Sequence, residues 1–279
     1  MEDLPNILIR RTALSLPFAE ITSLCLTNTK FNKAICEYQQ FWHDKLVLDY
    51  GITEKFSETL DWKKIYIHHK YRLIGVGSNE HGQLGLGQIA SVNEFTEIPT
   101  VAVKDIACGF HHTVIIDVDG NLWGTGNDGV SMRNDNKFFK LTHGPKFIQI
   151  ACGHDYTIAL SNDNRIWVNG TNSVGQIGLS IRTHAYKFTE LRGYQAKQIA
   201  CGGSHSAFID LDGKLYTFGH RHQYKLGRDG RYGYEIVPGE VSIPNPVIQV
   251  SCGADHTACI DRYNNIWVFG NNHYGQLGI

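Results

Sequence analysis

The sequence predicts a mainly β fold: an incomplete β-propeller of about four blades plus one strand, preceded by a small α-helical domain. Three observations predict it. A pair of motifs recurs along residues 71–279, with its cysteines 44, 49 and 51 residues apart. Each recurrence holds several short apolar runs separated by Asn, Asp and Gly turns, without a helical period. Residues 1–70 lack the repeat and carry helical spacing instead.

Composition excludes several classes first. The 279 residues leave room for one large domain or a medium one with a small companion, and 42% are hydrophobic, enough for a core. Formal net charge is -1, from 26 basic and 27 acidic side chains. Residues 1–70 carry 9 of each sign and the rest 17 and 18, so neither part shows the basic excess of a nucleic-acid or anionic-membrane binder. No run of 18 apolar residues offers a transmembrane helix. Met1-Glu2-Asp3-Leu4-Pro5 lacks the basic and apolar regions of a secretory signal. Seven cysteines are an odd number for a disulfide framework, so reduced cysteines and a cytoplasmic and/or nuclear location are expected. The sequon at Asn169-Gly170-Thr171 then lacks a secretory context.

The helical domain is expected over residues 1–50. Ile21, Leu24, Cys25 and Asn28 stand at i, i+3, i+4 and i+7, and three of them are apolar on one face. Pro5 suits a first helical turn and Pro17 a break between helices. Three short helices in so few residues bury little core alone, and a partner covering their apolar face resolves the shortage. The Leu4-Pro5 start, the Leu24-Cys25 helix, the following Phe31-Asn32 and the late Phe41-Trp42 together resemble an F-box. That resemblance implies contacts to a Skp-type adaptor at Leu4, Pro5, Ile7, Leu14, Leu16 and Leu24. Residues 51–70, with Leu60-Asp61-Trp62-Lys63-Lys64-Ile65-Tyr66, read as a helical linker.

From residue 71 the repeat takes over. Its first motif runs Ala107-Cys108-Gly109-Phe110-His111-His112-Thr113 and returns from Ala151, Ala200 and Ser251. The second, Gly-x-Asn-x-x-Gly-Gln-Leu-Gly, is clear at 77–85, 170–178 and 270–278. It is worn at 219–227, where Tyr224 and Lys225 replace Gly-Gln, and truncated at Gly126-Asn127-Asp128-Gly129. Polar turns such as Asp119-Gly120-Asn121 and Asn264-Asn265 read as hairpins, because Asn, Asp and Gly tolerate positive φ. The small Ala-Cys-Gly residues place their strand at a crowded axis, and the glycines of the second, loop motif suit backbone conformations barred to other residues. Trp123, Trp167, Tyr216 and Trp267 recur at one position and read as packing between blades, each worth roughly 3–5 kcal/mol on truncation to alanine.

Over residues 71–279 the two motifs resemble the regulator-of-chromosome-condensation repeat, whose family fold is a seven-bladed propeller. Four full units and one opening strand are expected here, followed by Gly278-Ile279. Such an array leaves a bare sheet edge at each end, so either the chain is a fragment, or the ring closes with few blades, or another chain covers the edges. An incomplete propeller is the favoured expectation.

No catalytic residues, metal or cofactors are expected. Cys108…His112, Cys201…His205 and Cys252…His256 share a Cys-x-x-x-His spacing, but equivalent positions in a propeller fan around an axis instead of converging as zinc requires. Cys25, Cys36 and Cys259 read as buried small apolar residues. Gly124-Thr125-Gly126-Asn127-Asp128-Gly129 matches a dinucleotide-binding string but precedes a polar stretch without helical pattern. Most of the histidines read as hydrogen-bonding turn and loop residues. The loop after Gly219 differs from its siblings, and Arg221, Tyr224, Lys225, Arg228, Arg231 and Tyr232 form a candidate surface for an acidic or phosphorylated target. The two resemblances imply a non-enzymatic substrate receptor of an SCF-type ubiquitin ligase, with the helical domain on the Skp adaptor and the propeller loops on a target. Nucleotide exchange on a Ran-type small GTPase and a general protein-binding scaffold are the alternatives.

Overall fold

A computed structural model of the chain describes residues 10, 13–27, 31–52, 55–57, 59–88, 90–128, 135–228, 230 and 232–279. The chain divides into two compact units, Met1–Arg72 and Leu73–Ile279. None of the described helices is long and apolar enough to cross a membrane.

In the first unit, helix α1 (Phe18–Thr27) starts directly after Pro17, whose carbonyl accepts the amides of Glu20 and Ile21. A short π-helical turn, Asn32–Cys36, leads to α2 (Gln39–Tyr50), which Gly51 ends in the left-handed conformation. Helix α3 (Trp62–Lys70) begins where the Gln39 side chain of α2 accepts its first amide at 2.7 Å. The core is aromatic: Trp42 lies 5.2 Å from Phe41, 5.3 Å from Tyr66 and 6.0 Å from Phe18, and its indole donates to the Cys36 carbonyl. Buried Lys45 donates to the Leu14 carbonyl and to Asp49, whose other oxygen accepts the Tyr66 hydroxyl at 2.5 Å. Cys25 and Cys36 form a disulfide with a Cα–Cα distance of 6.3 Å, which corrects the expectation that all cysteines are reduced. The physical reason is tertiary: the turn folds back along α1 and brings together two cysteines eleven positions apart.

The second unit holds seventeen described strands in five antiparallel sheets. Sheet 1 pairs β1 (Leu73–Gly77) with β2 (Val92–Ile98). Sheet 2 runs β3 (Val103–Cys108), β4 (His112–Asp117), β5 (Leu122–Gly126), β6 (Asp135–Lys140). Sheet 3 runs β7 (Phe147–Cys152), β8 (Tyr156–Ser161), β9 (Arg165–Gly170), β10 (Ala185–Gln195). Sheet 4 runs β11 (Gln198–Cys201), β12 (His205–Ile209), β13 (Leu215–His220), β14 (Tyr234–Val241). Sheet 5 has three strands, β15 (Val247–Cys252), β16 (His256–Asp261) and β17 (Ile266–Gly270). The expected four full units and opening strand are therefore distributed differently: three complete sheets stand between a two-stranded and a three-stranded one. The sequence repeat is out of phase with the sheets, because β1 and β2 match the outer strands of a sheet and β15–β17 the inner ones.

Three apolar cores join successive sheets. Val114, Ile116 and Leu122 of sheet 2 meet Phe147, Ile150 and Ala159 of sheet 3. Tyr156, Ile158 and Val168 of sheet 3 meet Phe208 and Phe218 of sheet 4. Ala207, Ile209 and Leu215 of sheet 4 meet Val247, Val250 and Cys259 of sheet 5. Trp167, Tyr216 and Trp267 pack on these cores as expected.

The hairpin turns also form as expected. Gly120, Asn164, Gly213 and Asn264 hold positive φ at the tips. Asp117 fastens its turn by accepting the amides of Asp119 and Asn121 on one oxygen, and the Asn121 amide group and the Trp123 indole on the other. Asp261 repeats the arrangement with Tyr263, Asn265 and Trp267. In sheet 3 the same place holds Ser161, which turns to Asp163 and Arg165, and the buried Trp167 indole N–H is left without an acceptor.

Candidate functional site

The Ala-Cys-Gly motifs of sheets 2–5 line one cavity of about 260 Å³, so the small residues do sit at the axis. Cys108, Cys152, Cys201 and Cys252 are in its wall, and Phe110 and His154 stack at its mouth with ring centroids 4.5 Å apart. The thiols reach backward across the sheet boundaries: Cys152 Sγ donates to the Ala107 carbonyl at 3.6 Å and Cys201 Sγ to Ala151 at 3.4 Å. Burial pushes the Cys152 and Cys252 thiols up to about 12, so they stay protonated at neutral pH. Among the described residues no three His, Cys, Asp or Glu side chains gather as a metal site.

Two of the motif histidines hydrogen-bond across a sheet boundary. His112 Nε2 of sheet 2 lies 3.1 Å from Thr157 Oγ1 of sheet 3, and His205 Nε2 of sheet 4 lies 2.9 Å from Thr257 Oγ1 of sheet 5. Between them, Tyr156 of sheet 3 donates to the Gly202 carbonyl of sheet 4 at 3.0 Å. The Thr257 hydroxyl donates to the Lys225 carbonyl at 2.9 Å. Its proton is thereby committed, so His205 donates from Nε2 and its buried Nδ1 has no partner. A main-chain ladder parallels these contacts: Phe110 N–H donates to His154, His154 to Gly203 and Gly203 to Ala254. The amides of Gln149 and Gln198 each clasp the backbone of the next inner strand, at Ile199 and Val250.

The glycines of the first motif are needed for space. A Cβ on Gly109, Gly153, Gly202 or Gly253 would overlap the ring of His112, Tyr156, His205 or His256 respectively. The second-motif glycines do hold positive φ, among them Gly126, Gly170, Gly219 and Gly270 opposite those same four rings.

The structure splits the candidate loop between β13 and β14. Lys225 is only 1% exposed and pairs with Asp255 at 2.5 Å, and the adjacent cation holds the Asp255 carboxyl below its usual range despite burial. Arg228 donates to the Thr217 carbonyl at 2.7 Å. Arg221 pairs with Glu235. Each of these three cations thus has a partner within the protein. Tyr224 and Tyr232 are exposed, and Arg231 lies outside the described residues. Tyr224 holds φ +61, the conformation that Gly82, Gly175 and Gly275 take in the sibling loops.

Of the candidate adaptor contacts, Leu14 and Leu16 pack partly on the core of the first unit, and Leu24 on α1 is 38% exposed. Leu26, which sequence reading passed over, is 88% exposed on the same helix. Leu4, Pro5 and Ile7 lie outside the described residues.

Comparison with known proteins follows the repeat. Residues 72–116 and 212–260 match the regulator of chromosome condensation (RCC1) repeat, and a second description of that repeat matches 103–130, 147–176, 196–222 and 247–276. The chain is 31% identical over 219 residues to the ultraviolet-B receptor UVR8 of Arabidopsis thaliana, covering 73% of this chain and 50% of that protein. It is 30% identical over 233 residues to the human probable E3 ubiquitin-protein ligase HERC6, covering 75% of this chain and 22% of that one. The chain thus spans half or less of the length of these relatives. Among solved structures, Prp20p of Saccharomyces cerevisiae superposes with a TM-score of 0.66 at 22% identity, over 81% of this chain and 60% of that one. Human WBSCR16 superposes with 0.64 at 21%, over 71% and 56%. With the motif order, the five small sheets and the axial motif array all in agreement, the chain belongs to the regulator of chromosome condensation repeat family.

Proposed function

We propose that this chain is a non-catalytic interaction protein that joins two partners, a substrate receptor of an SCF-type ubiquitin ligase. The observation that carries the reading is the division of labour between the units. One is a small helical unit with Leu24 and Leu26 exposed on α1, and the other is a repeat array of loops on a rigid sheet scaffold. In this reading the helical unit engages a Skp-type adaptor through Leu14, Leu16 and Leu24 together with Leu4, Pro5 and Ile7. The propeller loops hold the target, and bond chemistry belongs to other subunits.

The test is co-purification of the full chain with a Skp-type adaptor. Leu24→Ala is expected to weaken capture by about 1–3 kcal/mol, the scale of one buried apolar anchor. Absence of capture by well-folded protein removes the adaptor role and leaves the propeller scaffold.

A second reading follows from the structure of Prp20p, which is described together with its binding to Gsp1p and histones. Accelerated nucleotide release from a Ran-type GTPase would favour an exchange role, and no effect at high protein concentration would end it.

A further inference from the structure

The loop between β13 and β14 does not stand alone, because the fold sets it against the loop between β9 and β10. Gly175 of the β9–β10 loop lies so near the Glu235 backbone at the start of β14 that a Cβ would overlap it. Arg182 Cζ sits 4.7 Å from the centre of the Tyr234 ring at the start of β14. The segments next to these two residues in sequence carry exposed apolar and aromatic side chains. Tyr186 is 68% exposed, Tyr232 66% and Ile181 61%, and His222 lies 5.9 Å from the Tyr232 ring. The neighbouring carboxylate, Glu235, is already neutralised by Arg221, and no ion pair engages Arg182 among the described residues.

An exposed guanidinium held over a phenol keeps N–H groups in water, available to grip a carboxylate with two hydrogen bonds. Rigid tyrosines beside it supply contact area at small entropic cost. We propose that these two loops form one recognition surface for an extended segment of a partner protein that carries a carboxylate beside a bulky apolar side chain. The carboxylate pairs with Arg182, and the apolar side chain lies over Ile181 and the tyrosines. The inference rests on the interaction-scaffold reading and names the chemistry of its target.

The test pans a random-peptide phage library against the immobilised full chain and measures synthetic copies of the enriched peptides by fluorescence anisotropy. Enriched peptides are expected to place Asp or Glu next to Leu, Ile, Met or Phe. Arg182→Ala and Tyr234→Ala, each checked for an unchanged melting temperature, are expected to weaken binding at least about tenfold, the loss of one charge-assisted pair. Arg182→Lys keeps the charge without the fork and should fall between, while Tyr274→Ala in the last loop should bind as the parent does. Peptides without carboxylates, peptides that bind the Arg182 and Tyr234 variants undiminished, or an empty selection overturn the inference. Peptides that instead lose binding on Phe110→Ala overturn this surface but leave the scaffold reading standing.

Discussion

His205 Nε2 meets Thr257 Oγ1 at 2.9 Å across the boundary between sheets 4 and 5, although the two residues are 52 positions apart. Burial pushes the His205 pKa down to about 3, with the Lys225 cation adding to it, so the ring makes this contact as a neutral imidazole at neutral pH. His112, buried in the same role, is shifted down as well.

This sets an acid sensitivity. A histidine whose folded pKa lies below its unfolded value costs nothing above about pH 6.5, where both states are neutral. As pH falls from there toward 3, the unfolded chain takes up protons that the native state refuses, so stability is lost. Denaturant titrations at pH 7.5 and pH 5 should differ by about 2 kcal/mol on account of His205. His205→Tyr, which copies Tyr156 of sheet 3, should fold and lose that share of the difference.

Crowding around the same ring makes a second prediction. Gly202→Ala drives a methyl into the His205 ring and to 2.5 Å from the Gly253 carbonyl, so a loss of about 2–3 kcal/mol is expected. Gly193, with φ +87 and open space around its missing Cβ, should cost only about 1 kcal/mol as alanine. Equal losses in thermal or urea unfolding would refute the steric account.

The stranded indole of Trp167 offers a gain. Ser161→Asp supplies the acceptor that Asp117 gives Trp123 and Asp261 gives Trp267, and should raise stability by about 1 kcal/mol. Asp117→Ala should do the reverse, costing about 2–3 kcal/mol by orphaning Trp123 and Asn121. Midpoints of urea unfolding read both.

Tyr224→Gly should likewise stabilise, by about 1 kcal/mol, because a left-handed backbone strains any residue with a Cβ. If the phenol packed productively, the same change would destabilise, and calorimetry distinguishes the two.

The residues by themselves determined the repeat, the hairpin tips at Gly120, Asn164, Gly213 and Asn264, the Trp167, Tyr216 and Trp267 packing positions and the axial place of Ala-Cys-Gly. All of these are local: a turn needs a particular φ, and a crowded axis admits only small side chains. What tertiary structure alone decided is whatever joins one repeat to the next or folds a segment back on itself. Periodicity marks His205 and Thr257 as recurring positions but says nothing of their meeting. Nor could spacing reveal that Lys225 turns inward to Asp255, that Cys25 reaches Cys36, or that Arg182 lies over Tyr234. Each depends on the angle and offset at which separate elements pack, and those are set by the apolar cores between them.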